Sequence, residues 1–177
     1  MNWIKPLLPV RFDTNEIYTI VIFLLMASLL KLIPRRMEPS MFYFLYTFNI
    51  YLTVMGDYFL AGNPLNLYDT LDRNSGELFD FILHLFVYPM TMLIVLSIYS
   101  NGYPSYFKKW GTAVFIVLSS LFLVGLEWIS AEYFDLYTYY NWKFWYSYMV
   151  YLITVSLNIS VFILLRNYYL EKRTRVG

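Results

Sequence analysis

His84 is the only histidine in the chain, and Asp80 stands four residues before it, one helical turn away, in an apolar run at 79–99. Two further carboxylates, Asp57 and Glu127, lie late in the apolar runs at 41–60 and 110–129. Ionisable side chains in such runs need partners or water. Three roles fit one imidazole with three carboxylates. They can ligate a divalent ion such as zinc, manganese or iron, which would polarise a bound water for hydrolysis. They can relay protons and couple them to a small solute. They can also simply hold helices together, polar contacts between spans contributing roughly 0.6–2 kcal/mol each. No catalytic signature is complete. The metalloprotease pattern H-E-x-x-H, a Gly-rich phosphate loop and G-x-S-x-G are all absent from the sequence.

The elements that must position these residues are set by composition. The chain has 177 residues, 59% hydrophobic, 22% aromatic and only 14% charged, whereas charged residues make up about a quarter of an ordinary globular protein. The apolar residues are gathered into runs close to the ~20 residues needed to cross ~30 Å of hydrocarbon. A net charge of +1 gives no basic face for nucleic acid. Without cysteine there is no disulfide framework and no thiolate metal site. No internal repeat or low-complexity segment is visible.

Five spans are expected, at about 17–33, 41–60, 79–99, 110–129 and 146–165, in a single transmembrane domain covering 1–177. The first ends at Pro34 and the pair Arg35 and Arg36, the second at Gly62, Asn63 and Pro64, the third at Gly102 and Pro104. With alternating connections, one side collects nine basic residues (Lys31, Arg35, Arg36, Lys108, Lys109, Arg166, Lys172, Arg173, Arg175) and the other four (Lys5, Arg11, Arg73, Lys143). The positive-inside bias then predicts N-out and C-in. The aromatic connection at 130–145 reads as a belt lying along the membrane surface.

Spans two to five carry polar stripes at helical spacing. The stripes are Tyr46, Asn49, Thr53 and Asp57; Asp80, His84, Tyr88 and Thr91; Thr112, Ser119, Ser120 and Glu127; and Ser147, Tyr151, Thr154 and Asn158. Lipid cannot satisfy these groups, so the four stripes should face one another. Span one lacks such a stripe and is expected at the periphery. Run directions place Asp57, Asp80, His84 and Glu127 together in the outer third of the bundle, near Ser147 and Tyr151. Pro89 is expected to free the carbonyl of Leu85 beside His84.

Two stretches carry a resemblance: Glu127-Trp128 followed by Tyr139, Tyr140, Asn141, Trp142 and Tyr146-Ser147, and His84 close to Tyr88 and Pro89. Together they resemble small five-span integral membrane proteins of unknown function from endospore-forming Bacillota. The resemblance implies a multi-pass plasma-membrane location and brings no activity with it. The expected object is all-α, a polytopic bundle whose leading role is that of a non-catalytic membrane partner or subunit. The alternative is a membrane-embedded metal-dependent hydrolase or a proton-coupled small-solute carrier. No cofactor is expected, a divalent metal at Asp57, Asp80, His84 and Glu127 being the candidate exception. Partners are the bilayer, with another membrane protein or a second copy beside it, and no nucleic acid.

Overall fold

A computed structural model of the chain describes residues 7–9, 11–34, 36–72, 77–102 and 110–176, with side chains described as far as 172. Lys5, Arg35, Arg73, Pro104, Lys108 and Lys109, and the side chains of Arg173 and Arg175, lie outside the described residues.

Helix α1 (Thr14–Leu32) starts at a capping box. Asp13 Oδ1 accepts the Asn15 N–H, and Glu16 Oε2 accepts the Asp13 N–H at 2.8 Å, so two otherwise orphaned donors are satisfied. It stops where Ile33 turns extended ahead of Pro34. Helix α2 (Pro39–Leu60) begins with proline in the first turn, where a missing N–H is harmless. Helix α3 (Leu78–Ser100) is continuous but widens into one π-helical turn at Leu83–Val87. Helix α4 (Gly111–Phe134) closes on Asp135 in the left-handed conformation. Helix α5 (Phe144–Val176) is 33 residues long. At 1.5 Å per residue this is ~50 Å, well beyond the ~30 Å of a bilayer core. The helix therefore runs on past the expected end at 165.

Four of these helices, α1, α3, α4 and α5, are long and apolar enough to cross a membrane. Helix α2, with 22 residues, has the length, but Tyr43, Tyr46, Asn49, Tyr51, Asp57 and Tyr58 dilute its apolar character. Helix α3 is the centre of the molecule. Over half of its apolar window is buried (56%), against a third or less in the other three. It packs on α1, α2 and α5, while α4 packs on α5 and α1. Between α3 and α4 the contact is made by Tyr99, whose ring meets Phe115 at 5.4 Å and whose hydroxyl bonds Thr112 at 3.2 Å. At that end the core is dense, with Leu93, Leu96, Val155, Ile159 and Phe162 almost wholly buried.

The connections at the opposite end form a small antiparallel sheet, β1 (Tyr68–Thr70) with β2 (Tyr137–Tyr139), in the register Tyr68 to Tyr139 and Thr70 to Tyr137. Leu71 N–H donates to Leu136 O, and Tyr140 N–H to Leu67 O, extending the clamp on both sides. The aromatic connection therefore divides. Tyr133, Tyr140 and Trp145 stay exposed, as a surface belt requires, whereas Tyr137 and Tyr139 turn over the bundle.

Candidate functional site

The site is built from α3 outward. Pro89 has no N–H to offer the Leu85 carbonyl one turn back. In the π turn the Tyr88 N–H reaches Leu83 O instead. Helix α2 satisfies what is left: Tyr46 Oη–H donates to Leu85 O at 2.6 Å, and the single Thr53 hydroxyl hydrogen is shared between Ile50 O at 3.0 Å and His84 O at 3.3 Å. These two bonds fix α2 against the π turn. One helical turn beyond Thr53, Asp57 then faces His84.

His84 lies between two carboxylates. Its Nδ1 is 3.0 Å from the Asp80 carbonyl oxygen and 3.1 Å from Asp80 Oδ1, and its Nε2 is 3.8 Å from Asp57 Oδ1. A backbone carbonyl only accepts, so Nδ1 carries the hydrogen. That leaves Nε2 as the atom able to gain or lose a proton. Asp57 Oδ1 also accepts the Tyr68 hydroxyl at 3.2 Å.

Glu127 belongs to the same cavity but to another set of bonds. Its Oε1 accepts the Tyr139 hydroxyl at 2.7 Å and the Ser147 hydroxyl at 2.5 Å, and Ser147 in turn accepts the Trp142 indole N–H at 2.6 Å. The four predicted residues therefore share one end of the bundle, yet they do not gather around one point. Asp80 and Asp57 meet opposite nitrogens of a single ring, and Glu127 is held by loop and α5 donors.

Among the described residues, the group of three carboxylates that does converge is Glu16, Asp72 and Glu77, with ligand atoms within 4.8 Å of one another. This triad could hold a metal ion. Glu16 and Glu77 are fully buried, Asp72 is exposed, and Asp72 accepts the Arg11 backbone N–H at 3.1 Å. Sequence spacing cannot reveal the triad, because it joins the helix start at 16 to the far end of the loop at 72–77.

A cavity of about 220 Å³ lies within the bundle at the loop end, with residues of all five helices in its wall. Asp57, His84 and Glu127 line it, with Asn49, Thr53 and Thr91 deeper in. Aromatic rings from the clamp (Tyr68, Tyr137, Tyr139 and Trp142) cover it. They are braced against one another, Tyr68 edge-on to Tyr137 at 6.1 Å and to Trp142 at 5.6 Å. Tyr88 and Tyr137 share a hydroxyl bond of 2.6 Å. Burial pushes the phenols of Tyr68, Tyr137 and Tyr139 well above their ordinary range, and the neighbouring carboxylates, Asp57 for Tyr68 and Glu127 for the other two, push further the same way. All three remain hydrogen-bond donors.

Helix α1 is not peripheral. Asn15, Glu16 and Thr19 are buried, and Tyr18, Ile22 and Met26 form part of the cavity wall. Ser130 donates to Leu126 O and so accepts from the Tyr18 hydroxyl at 2.7 Å, while the Tyr18 ring stacks on Phe134 at 4.2 Å. The signal for this was the short polar cluster Asn15, Glu16 and Thr19 at the start of the run. Ser119 and Ser120 do not line the cavity.

Comparison of the chain with protein-family models, with curated proteins and with solved structures finds no match.

Proposed function

We propose that the protein is a multi-pass plasma-membrane protein that binds a small solute within its bundle, with His84 Nε2 as the exchangeable proton site, and that it performs no covalent chemistry. One observation carries this reading: a cavity of about 220 Å³ into which three helices present Asp57, His84 and Glu127. Drug-sized ligands occupy pockets of about 300–1,000 Å³, so a smaller solute fits. Ser147, the hydroxyl nearest a carboxylate, is 1% exposed and already bonded to both Glu127 and Trp142. Ser147 lines the cavity, but its hydrogen is held by Glu127 and its oxygen by the Trp142 N–H, an arrangement that fits orienting the carboxylate.

Helix α2 is the fifth span in this reading. Asn49, Thr53 and Asp57 face the cavity, and Asn49 also bonds Asn158 of α5, so these three groups are turned away from lipid, while Tyr43, Tyr51 and Tyr58 stay exposed. The charge bias makes the clamp end external, giving N-out and C-in, and the resemblance to small Bacillota membrane proteins supports the plasma membrane. A role as a subunit of a larger membrane assembly is compatible with a binding cavity.

The test uses the sole histidine as reporter. Diethyl pyrocarbonate should modify His84 in the folded protein in lipid nanodiscs, read by mass. A panel of neutral, anionic and cationic small molecules should contain at least one class that protects it. Gly56 lies in the cavity wall, and a Cβ added there meets no atom within 4 Å. Gly56→Leu should therefore fill the cavity without backbone strain, keep the fold and slow the modification. A reactive His84 that no class of solute protects would reject the reading.

A further inference from the structure

The charge carried by the lining, set beside its aromatic surface, narrows the class of solute. Resting on the binding reading above, we infer that the cavity accepts a small organic cation, an amine or quaternary ammonium group carrying no more than one small ring. Three observations carry it. First, among the described residues the lining contains two carboxylates, Asp57 and Glu127, and no lysine or arginine, its one basic group being the His84 ring. Asp80, on the far side of that ring, adds a third carboxylate. Even a protonated imidazole leaves this set short of positive charge, and uncompensated carboxylates are costly inside a membrane bundle.

Second, the bonds already made to these carboxylates do not remove that charge. Tyr68 donates to Asp57, and Tyr139 and Ser147 donate to Glu127. Neutral hydroxyls orient a carboxylate without neutralising it. Third, with the Tyr68, Tyr88, Tyr137 and Tyr139 hydroxyls and the Trp142 N–H engaged in protein bonds, these side chains offer a ligand chiefly their aromatic surface. Aromatic rings about a carboxylate-lined hollow attract cations within ≈ 6 Å of a ring centre, and alkylated ammonium groups are the cations best suited to such walls. A bare metal ion would need converging oxygen ligands, which Asp57, His84 and Glu127 do not provide among the described residues. An anion would meet two carboxylates.

The experiment compares benzyltrimethylammonium with its uncharged carbon isostere neopentylbenzene and with benzenesulfonate, on the full chain in nanodiscs. Protection of His84 from diethyl pyrocarbonate and calorimetric titration are read together. The cation should bind about tenfold or more tightly than the isostere, and benzenesulfonate should not bind. Glu127→Gln and Tyr68→Leu should each weaken the cation and leave the isostere unchanged. Gly56→Leu, with its helical content checked by circular dichroism against the natural protein, should abolish binding of both. Equal binding of the isostere, or preference for the sulfonate, would overturn the cation inference while leaving a solute cavity in place. Binding of none of the three, with protection produced only by acidification, would mean that protons alone balance the carboxylates, and would overturn it as well. Failure of every solute class in the wider panel would reject the binding reading itself.

Discussion

Asp80 does more for His84 than supply a neighbouring charge. Because the Asp80 backbone oxygen lies 3.0 Å from Nδ1, the ring is committed to one tautomer and Nε2 is turned toward Asp57 and the cavity. Nitrogen NMR of the single labelled histidine should show the Nδ1–H form whenever the ring is neutral. Detection of the Nε2–H form would contradict the geometry. A second residue-scale prediction concerns the buried amide pair. Asn49 Nδ2 donates to Asn158 Oδ1 at 2.7 Å and also to Leu45 O, and neither asparagine is accessible. Asn158→Leu removes the acceptor at a buried position and should lower unfolding stability by about 0.6–2 kcal/mol. Denaturation in mixed micelles would measure it. Both asparagines were visible in the sequence as members of stripes at helical spacing, since a polar side chain in an apolar run can point only toward another helix. The partners of Glu127 were half visible: Ser147 by depth, but not Tyr139, whose loop had no reason, read locally, to leave the membrane surface.

At the scale of elements, the π turn in α3 and the clamp above it answer to different tests. If Pro89 is what strands the Leu85 carbonyl, then Tyr46→Phe should cost about 1–3 kcal/mol in the natural background, the penalty for an unsatisfied polar group in a dry site. The same change should cost clearly less beside Pro89→Ala, where residue 89 regains its N–H. A double-mutant cycle on thermal stability decides this, and equal costs in both backgrounds would break the link. The clamp responds to pH. Its phenols ionise near pH 10 in an unfolded chain but are held protonated in the folded one by burial and by Asp57 and Glu127. The folded state thus binds more protons above that pH, and stability falls as pH rises past about 10. Tyrosinate absorbance should appear together with unfolding rather than before it. The proline was legible in the sequence and its free carbonyl with it. The π turn was not, because its hydrogen-bond register depends on Tyr46 and Thr53 of another helix. Nor was the sheet, whose three-residue strands lie nearly seventy positions apart and have no alternating pattern long enough to read.

At the scale of the whole molecule, the absence of cysteine makes topology directly measurable. Single cysteines at Leu65, in the exposed connection after α2, and at Leu170, on the exposed surface of α5, should react with an impermeant maleimide from opposite sides of intact cells. N-out and C-in places Leu65 outside. Labelling of both from one side would remove the five-span arrangement. The helical bundle and the end at which the polar stripes meet were readable because hydrocarbon leaves polar groups only one direction to point. The membership of α1 in the wall was readable only from Asn15, Glu16 and Thr19 at its start; its Tyr18, Ile22 and Met26 look like any lipid-facing run until Ser130 and Phe134 are placed opposite. One further consequence follows from the closely packed half of the bundle around Leu93, Leu96, Val155, Ile159 and Phe162. The hollow above it is a cup and not a pipe. A membrane voltage falls mainly across material that water does not enter, so most of the field lies across that dry floor. A charge crossing the whole membrane gains ~2.3 kcal/mol per 100 mV, but one resting in the cup beside Asp57 and Glu127 has crossed only a small part of that drop. Occupancy of the cup should therefore be nearly insensitive to voltage, and the resting protein electrically silent.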